Sequence, residues 1–395
     1  MCVGEAEDSA GVLRQYDGEE MKELAQRHRA SGMNLRFAGD GMPFADYVAQ
    51  TRAMLQAARA GQTEAVIDGN APFELLPAGD FPRGRNKPYR RGILLTHGLS
   101  DSPYHLRHLA AFFQRNGFRV MAVLLPGHGT QPGDLLAVRW QEWARTVAYG
   151  ADCLEGEVDE LYLGGFSAGA ALSVHHAAQD ARVRGLFLFS PALEITSRAR
   201  WANLHKLYSR FAPAAAWVNI LPDADPYKYE SFCKNAAAQM HALTQALPRD
   251  GLNLPVFAAA SADDATVHAD ATLRFMQGVR HPLRKLLWYA AEDPKQADVE
   301  WVNSYLPEQH ILCGAHTAVV MPPDDAHYGA RGDYANCLHY FSEDEQRYAA
   351  CVTRPDWWGE VLPQHLARGV LRRLTWNPHY AAMEAAMRTF IEGLS

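Results

Sequence analysis

The sequence predicts an α/β fold, with a mostly parallel central sheet, helices on both faces and a helical cap. Three observations carry this. Short apolar runs alternate with helical stretches from about residue 91 to 290. Several of these runs are apolar throughout, as strands buried on both faces must be. The alternation breaks over residues 194–250 and then resumes, as an insertion between strands would make it do.

Composition fits this class. The chain has 395 residues, of which 48% are apolar and 21% charged, and its net charge is −7. Disordered, collagen-like and coiled-coil chains are excluded. There is no long basic run, so nucleic acid and anionic membrane surfaces are not expected partners. No eighteen consecutive residues are apolar, so no membrane-spanning helix is expected.

From the start, residues 1–15 read as a loose tail and 16–31 as a polar helix. Pro43 opens a second helix, with Phe44, Tyr47, Thr51 and Leu55 on one face and Gly61 ending it. Prolines break residues 65–91, where Phe73–Leu76 reads as a short edge strand. Strands then fall at Ile93–Thr96, Val120–Leu125, Leu161–Leu163, Gly185–Phe189, Pro255–Ala260, Leu286–Tyr289 and Ile311–Cys313. Helices are expected near 106–116, 139–156, from Ser167, and over 265–277. In the insertion, Trp201, Leu204, Tyr208 and Phe211 are spaced as one helix face, with Trp217, Ile220 and Leu221 following. It reads as a cap over the carboxyl ends of the strands, the alternative being a helical pair packed on the side. At the far end Asn377 can cap a final helix with Pro378 in its first turn, and Tyr380, Met383, Met387, Phe390 and Leu394 line its apolar face. The expected division is residues 1–64 as a helical extension, 65–193 with 251–395 as the core, and 194–250 as the cap.

The strongest chemical signal is Gly165-Phe166-Ser167-Ala168-Gly169, which follows an apolar run and leads into a small-residue helix. A serine hydroxyl is a weak nucleophile until a base takes its proton and a turn presents it. A sharp strand-to-helix turn presents it, and flanking glycines relieve the crowding. The helix N-terminus also brings amide N–H groups beside a developing oxyanion.

With this motif the chain resembles the α/β-hydrolase family, in its bacterial carboxylesterase and monoacylglycerol lipase branch, over roughly residues 91–317 and the final helix. Three further stretches carry the resemblance: His97-Gly98-Leu99 after the first buried strand, Leu125-Pro126-Gly127-His128-Gly129-Thr130 after the next, and Ser261-Ala262-Asp263-Asp264-Ala265-Thr266-Val267 after a later one. The resemblance implies a Ser-Asp-His triad. Ser167 is the nucleophile, Asp264 the acid with Asp263 as the alternative, and the backbone N–H groups of Leu99 and Ala168 the oxyanion donors. His97 and His128 would shape loops. The family's usual place for the base, after Leu286–Tyr289, holds no histidine. His316, after Ile311–Cys313, is the next candidate and His327 the runner-up.

The implied activity is hydrolysis of a small-molecule carboxylic ester with an apolar acyl or alkyl portion, through an acyl-enzyme. A thioesterase, acyltransferase or peptidase on the same scaffold, or an inactive fold that binds a ligand, are the alternatives. No cofactor is expected, because no dinucleotide fingerprint is present. No metal is expected either: no CxxC spacing occurs, and His105, His108 and His175-His176 lack convergent partners. Six sparse cysteines and an acidic start point to a cytoplasmic protein with reduced thiols. Export or a lipid anchor is the alternative, in which Cys337 and Cys351 could pair and Cys2 could be a processed terminus.

Overall fold

The computed structural model describes residues 28–195 and 216–394. The expected helix over 16–31 and the apolar face of Trp201, Leu204, Tyr208 and Phe211 therefore fall wholly or largely outside the described residues.

Strands β1 (Phe73–Leu75), β2 (Tyr89–Thr96), β3 (Phe118–Val123), β4 (Val158–Phe166), β5 (Val183–Phe189), β8 (Val256–Ser261), β9 (Arg284–Ala290) and β10 (Val299–Asn303) form one sheet in the order β1-β3-β2-β4-β5-β8-β9-β10. Between β5 and β8 the insertion contributes a small pair, β6 (Trp217–Asn219) and β7 (Phe232–Cys233). The tail adds another, β11 (Trp357–Gly359) and β12 (Leu371–Arg373). Only β1 runs antiparallel in the large sheet. This is the mostly parallel α/β arrangement that the apolar runs predict.

Both faces of the sheet are covered, so alternate residues of one strand enter opposite cores. Leu94 packs on one side with Trp143 and Leu163, while Ile93 and Leu95 pack on the other with Phe113 and Phe187. The second core is aromatic, with Phe113 edge-on to Phe187 at 4.8 Å between ring centres. Phe390 of the final helix meets Phe187 at 5.4 Å. Each such phenyl ring, fully buried, contributes about 1.5–3 kcal/mol. The expected stripe of the final helix is thus core packing. The helix itself spans Tyr380–Glu392, with His379 at its N-cap, and starts later than an Asn377 cap requires. Asn377 instead accepts the His379 N–H and donates to Tyr289 and to the Val319 carbonyl.

The first described helix, Phe44–Ala58, docks on the end of β3 through Tyr47, whose hydroxyl both donates to the Leu124 carbonyl and accepts the Leu124 N–H at 3.1 Å. Its buried residues are Phe44, Tyr47 and Leu55, the apolar face read from the sequence.

Two further expectations fail. Ile311–Cys313 is not a strand of the sheet; Ile311 makes only isolated bridges, to Leu306 and Trp358. The last strand is β10, whose residues are mostly exposed or half-buried. An edge strand open to solvent on one face carries polar residues such as Glu300 and Asn303, so it lacks the apolar run that marks its neighbours. Cys337 and Cys351 are joined by a disulfide, so the expectation of reduced thiols does not hold for this pair.

Candidate active site

Leu99, Ser167, Ala168 and Asp264 follow the carboxyl ends of the parallel strands β2, β4 and β8, the edge at which ligands bind in such sheets, and His316 comes from the irregular segment after β10. Ser167 follows β4 directly and has φ 54° and ψ −113°, outside the regions that L residues favour. Such a conformation costs of order 1–3 kcal/mol and persists only where the surroundings over-determine it. Here its N–H donates to the Phe189 carbonyl of β5 at 2.9 Å, and its carbonyl accepts the N–H groups of Ala170, Ala171 and Ala192.

The glycines of the motif are explained by contact. A Cβ on Gly165 would lie 2.2 Å from the Gly169 carbonyl carbon, and one on Gly169 would lie 2.0 Å from the Thr96 carbonyl oxygen of β2. Backbone presses on backbone at both places, so no side-chain shift can relieve it.

The Ser167 hydroxyl lies 2.9 Å from His316 Nε2. His316 Nδ1 lies 2.5 Å from Asp264 Oδ2. All three side chains are buried. The other Asp264 oxygen accepts the N–H groups of Thr266 and Val267 at 2.8 and 3.0 Å. Burial opposes ionisation of Asp264. The facing His316 ring and these hydrogen bonds together outweigh it and hold the carboxyl below the usual carboxylate range. Asp263 turns away from His316, and burial pushes its pKa up. Neither aspartate caps the next helix, Ala269–Gly278, whose N-cap is His268.

His327, the alternative base, sits elsewhere. Its Nδ1 lies 2.5 Å from Asp333 and its Nε2 3.3 Å from Asp225. It binds the insertion to the tail.

The backbone N–H groups of Leu99 and Ala168 meet no acceptor among the described residues. The loop bearing Leu99 is fixed by His97, whose Nδ1 lies 2.8 Å from the Gly98 carbonyl and whose Nε2 accepts the Leu125 N–H at 3.0 Å. That bonding requires neutral imidazole. Burial and the neighbouring His128 ring push the His97 pKa down to about 3, and burial pushes that of His128 to about 4. Two residues beyond Leu99, the buried Asp101 pairs with Lys228 of the insertion at 2.6 Å. Burial works against this charge, but Lys228 and His105 outweigh it and hold Asp101 down at about 2.

These groups open on a cavity of 610 Å³ whose walls include Leu99, Ser167, His316, Phe232 and Met240. A drug-sized ligand fits such a volume. The insertion supplies one wall, and the tail segment after His316 supplies another, including Tyr334 and Leu338.

The tail also holds what the sequence reading missed. The buried Glu360 carboxylate accepts the His316 backbone N–H at 3.1 Å. Arg373 donates to Glu360 at 2.9 Å and to the Thr266 hydroxyl at 2.7 Å. The hydroxyl of Ser190 donates to the His316 carbonyl at 2.9 Å. A lone glutamate inside Trp358-Gly359-Glu360-Val361-Leu362 is the one sequence signal that could have pointed here.

A family model described as Serine aminopeptidase, S33, matches residues 87–291. A thermostable monoacylglycerol lipase of Bacillus sp. (strain H-257) is 28% identical over 108 residues, which cover 27% of this chain. That stretch spans only 43% of the relative's own length. Among solved structures, the work on the metagenome-derived lipolytic enzymes LipS and LipT yields a match at 25% identity and TM-score 0.46, covering 56% of this chain and 87% of that one. The monoacylglycerol lipase of Paleococcus ferrophilus matches at 18% identity and TM-score 0.41, covering 52% and 91%.

Proposed function

Because the chain belongs to the Serine aminopeptidase, S33 family and has the α/β-hydrolase fold, we propose that it is a serine hydrolase that cleaves a small carboxylic ester through an acyl-enzyme. The observation that carries this reading is the relay from Ser167 Oγ to His316 Nε2 at 2.9 Å and from His316 Nδ1 to Asp264 at 2.5 Å.

The steps follow from these positions. His316 Nε2 takes the Ser167 proton as Oγ attacks the ester carbonyl. Asp264 accepts the Nδ1–H and stabilises the imidazolium without taking its proton. The free N–H groups of Leu99 and Ala168 hold the oxyanion, a service worth about 10²–10³ in turnover for one donor. The tetrahedral intermediate collapses, and His316 returns its proton to the leaving alcohol. Water then gives its proton to the same nitrogen and attacks the acyl carbon; as the second tetrahedral intermediate collapses, His316 returns that proton to Ser167 Oγ, releasing the acid and restoring the free hydroxyl. Phe232, Met240 and Leu338 on the cavity wall support an apolar acyl or alkyl portion.

A fluorophosphonate probe tests the nucleophile. It should label the wild-type protein and leave Ser167→Ala unlabelled; equal labelling of both would overturn the assignment. p-Nitrophenyl esters, acyl-CoA thioesters and aminoacyl amides, run side by side, test the substrate class. Highest kcat/KM on the amides would move the activity to a peptidase.

A further inference from the structure

Outside the hydrolytic relay, three side chains with metal-binding atoms converge from separate parts of the chain. Asp263 comes from the loop after β8, Cys313 from the segment between β10 and His316, and His365 from the short helix Pro363–Leu366 in the tail. One ligand atom from each lies within 4.8 Å of the other two. Cys313 Sγ lies 3.7 Å from His365 Nδ1, although 52 residues separate them. Cys313 is buried, while Asp263 and His365 are half-buried, so the cluster is reached from the surface.

The cluster is supported from one residue. The Glu360 N–H donates to Cys313 Sγ at 3.2 Å, the kind of outer partner that orients a ligand at a metal centre. The Glu360 carbonyl, 3.0 Å from His365 Nδ1, gives up that contact when the nitrogen takes the metal. A divalent cation would balance a thiolate and a carboxylate, and one sulfur, one nitrogen and one oxygen suit a borderline-soft ion.

We propose that Asp263, Cys313 and His365 form a binding site for one zinc-class divalent cation, with water completing its coordination. Binding releases the thiol proton. The site would join three pieces of the relay's scaffold: Asp263 adjoins Asp264, Cys313 lies three residues before His316, and His365 lies five residues after Glu360. It does not depend on the ester-hydrolase reading, and the fluorophosphonate labelling of Ser167 is read separately.

The test is a zinc titration of chelator-stripped full-length protein, followed by calorimetry and elemental analysis. One zinc per chain is expected. Cys313→Ser and His365→Ala should each weaken it by more than the about 10–100-fold that loss of an outer partner costs. Absence of stoichiometric zinc in the wild type, or wild-type affinity in Cys313→Ser, would overturn the site. Cobalt(II) gives a second readout that needs no folded variant. The wild-type protein should show a thiolate-to-cobalt band in the near ultraviolet, and its absence sinks the proposal. In folded Cys313→Ser the band should be missing.

Discussion

The His316 backbone N–H donates to the Glu360 carboxylate across 44 residues of sequence. The same carboxylate takes Arg373, whose guanidinium reaches Thr266 beside Asp264. One buried ion pair therefore spans the histidine and the loop that carries its acid. Removing one partner strands the other, which typically costs 3–5 kcal/mol. Because Arg373 keeps some solvent contact, Glu360→Ala should destabilise by about 3 kcal/mol in urea unfolding. The double change Glu360→Leu with Arg373→Leu should recover part of that loss. A double variant less stable than the single one would refute the argument.

Within the relay, Ser167→Ala and His316→Ala should each lower turnover by roughly 10⁴–10⁶-fold, since such groups act as a unit. Asp264→Asn should lower it by about 10⁴-fold. His327→Ala should leave kcat within about threefold while lowering thermal stability, because its ring bridges Asp225 and Asp333. Loss of turnover in His327→Ala, with activity kept in His316→Ala, would reverse the assignment of the base.

Acid should loosen the loop beneath the site. His97 and His128 are neutral in the fold, with pKa values lowered to about 3 and about 4. Unfolded, both take protons near pH 6.5. The unfolded chain thus binds more protons below that pH, and stability falls as pH falls. Between pH 6 and 4 the loss should reach roughly 1.4 kcal/mol per pH unit for each ring. His97→Gln should flatten the slope of unfolding free energy against pH over this window. An unchanged slope would show that His97 is not the cause.

At the turn, Gly169→Ala should be among the most damaging small changes. Its methyl would meet the Thr96 carbonyl oxygen at 2.0 Å. About 3 kcal/mol or more of destabilisation is expected by calorimetry. A soluble variant with wild-type melting temperature would contradict the close approach of β2 to the helix after Ser167.

Reduction of the Cys337–Cys351 bridge should also be costly. It closes a loop with a sequence separation of 14, and chain entropy assigns about 3 kcal/mol to a loop of that size. Leu338 and Phe341, within this loop, line the cavity. Mild reductant should therefore lower the melting temperature and raise KM more than it lowers kcat. Identical melting with and without reductant would count against the bridge.

What could be read from the chain followed burial. β2, β4, β5 and β8 are covered on both faces and announce themselves as apolar runs, and Ser167 stands out because its turn needs glycines at fixed offsets. β10 was not legible, since half of it faces water, and Ile311–Cys313 was mistaken for it because a buried loop can be as apolar as a strand. His316 was singled out through chain order, because the family's usual place for the base holds no histidine, and the structure sets its ring between Ser167 and Asp264. Glu360, Lys228 and the Asp263–Cys313–His365 cluster were hidden for one reason: each meets partners from tens to more than a hundred residues away, and no local periodicity encodes such a meeting.

The Lys228–Asp101 pair has a mechanical corollary. The insertion is riveted to the loop bearing the Leu99 amide, and the Tyr229 N–H adds a second fastener on the Ser100 carbonyl at 2.8 Å. At that corner it cannot swing outward without dragging the amide along. Widening the cavity at that corner therefore displaces the Leu99 amide as well, and on the proposed mechanism loosens its hold on the oxyanion.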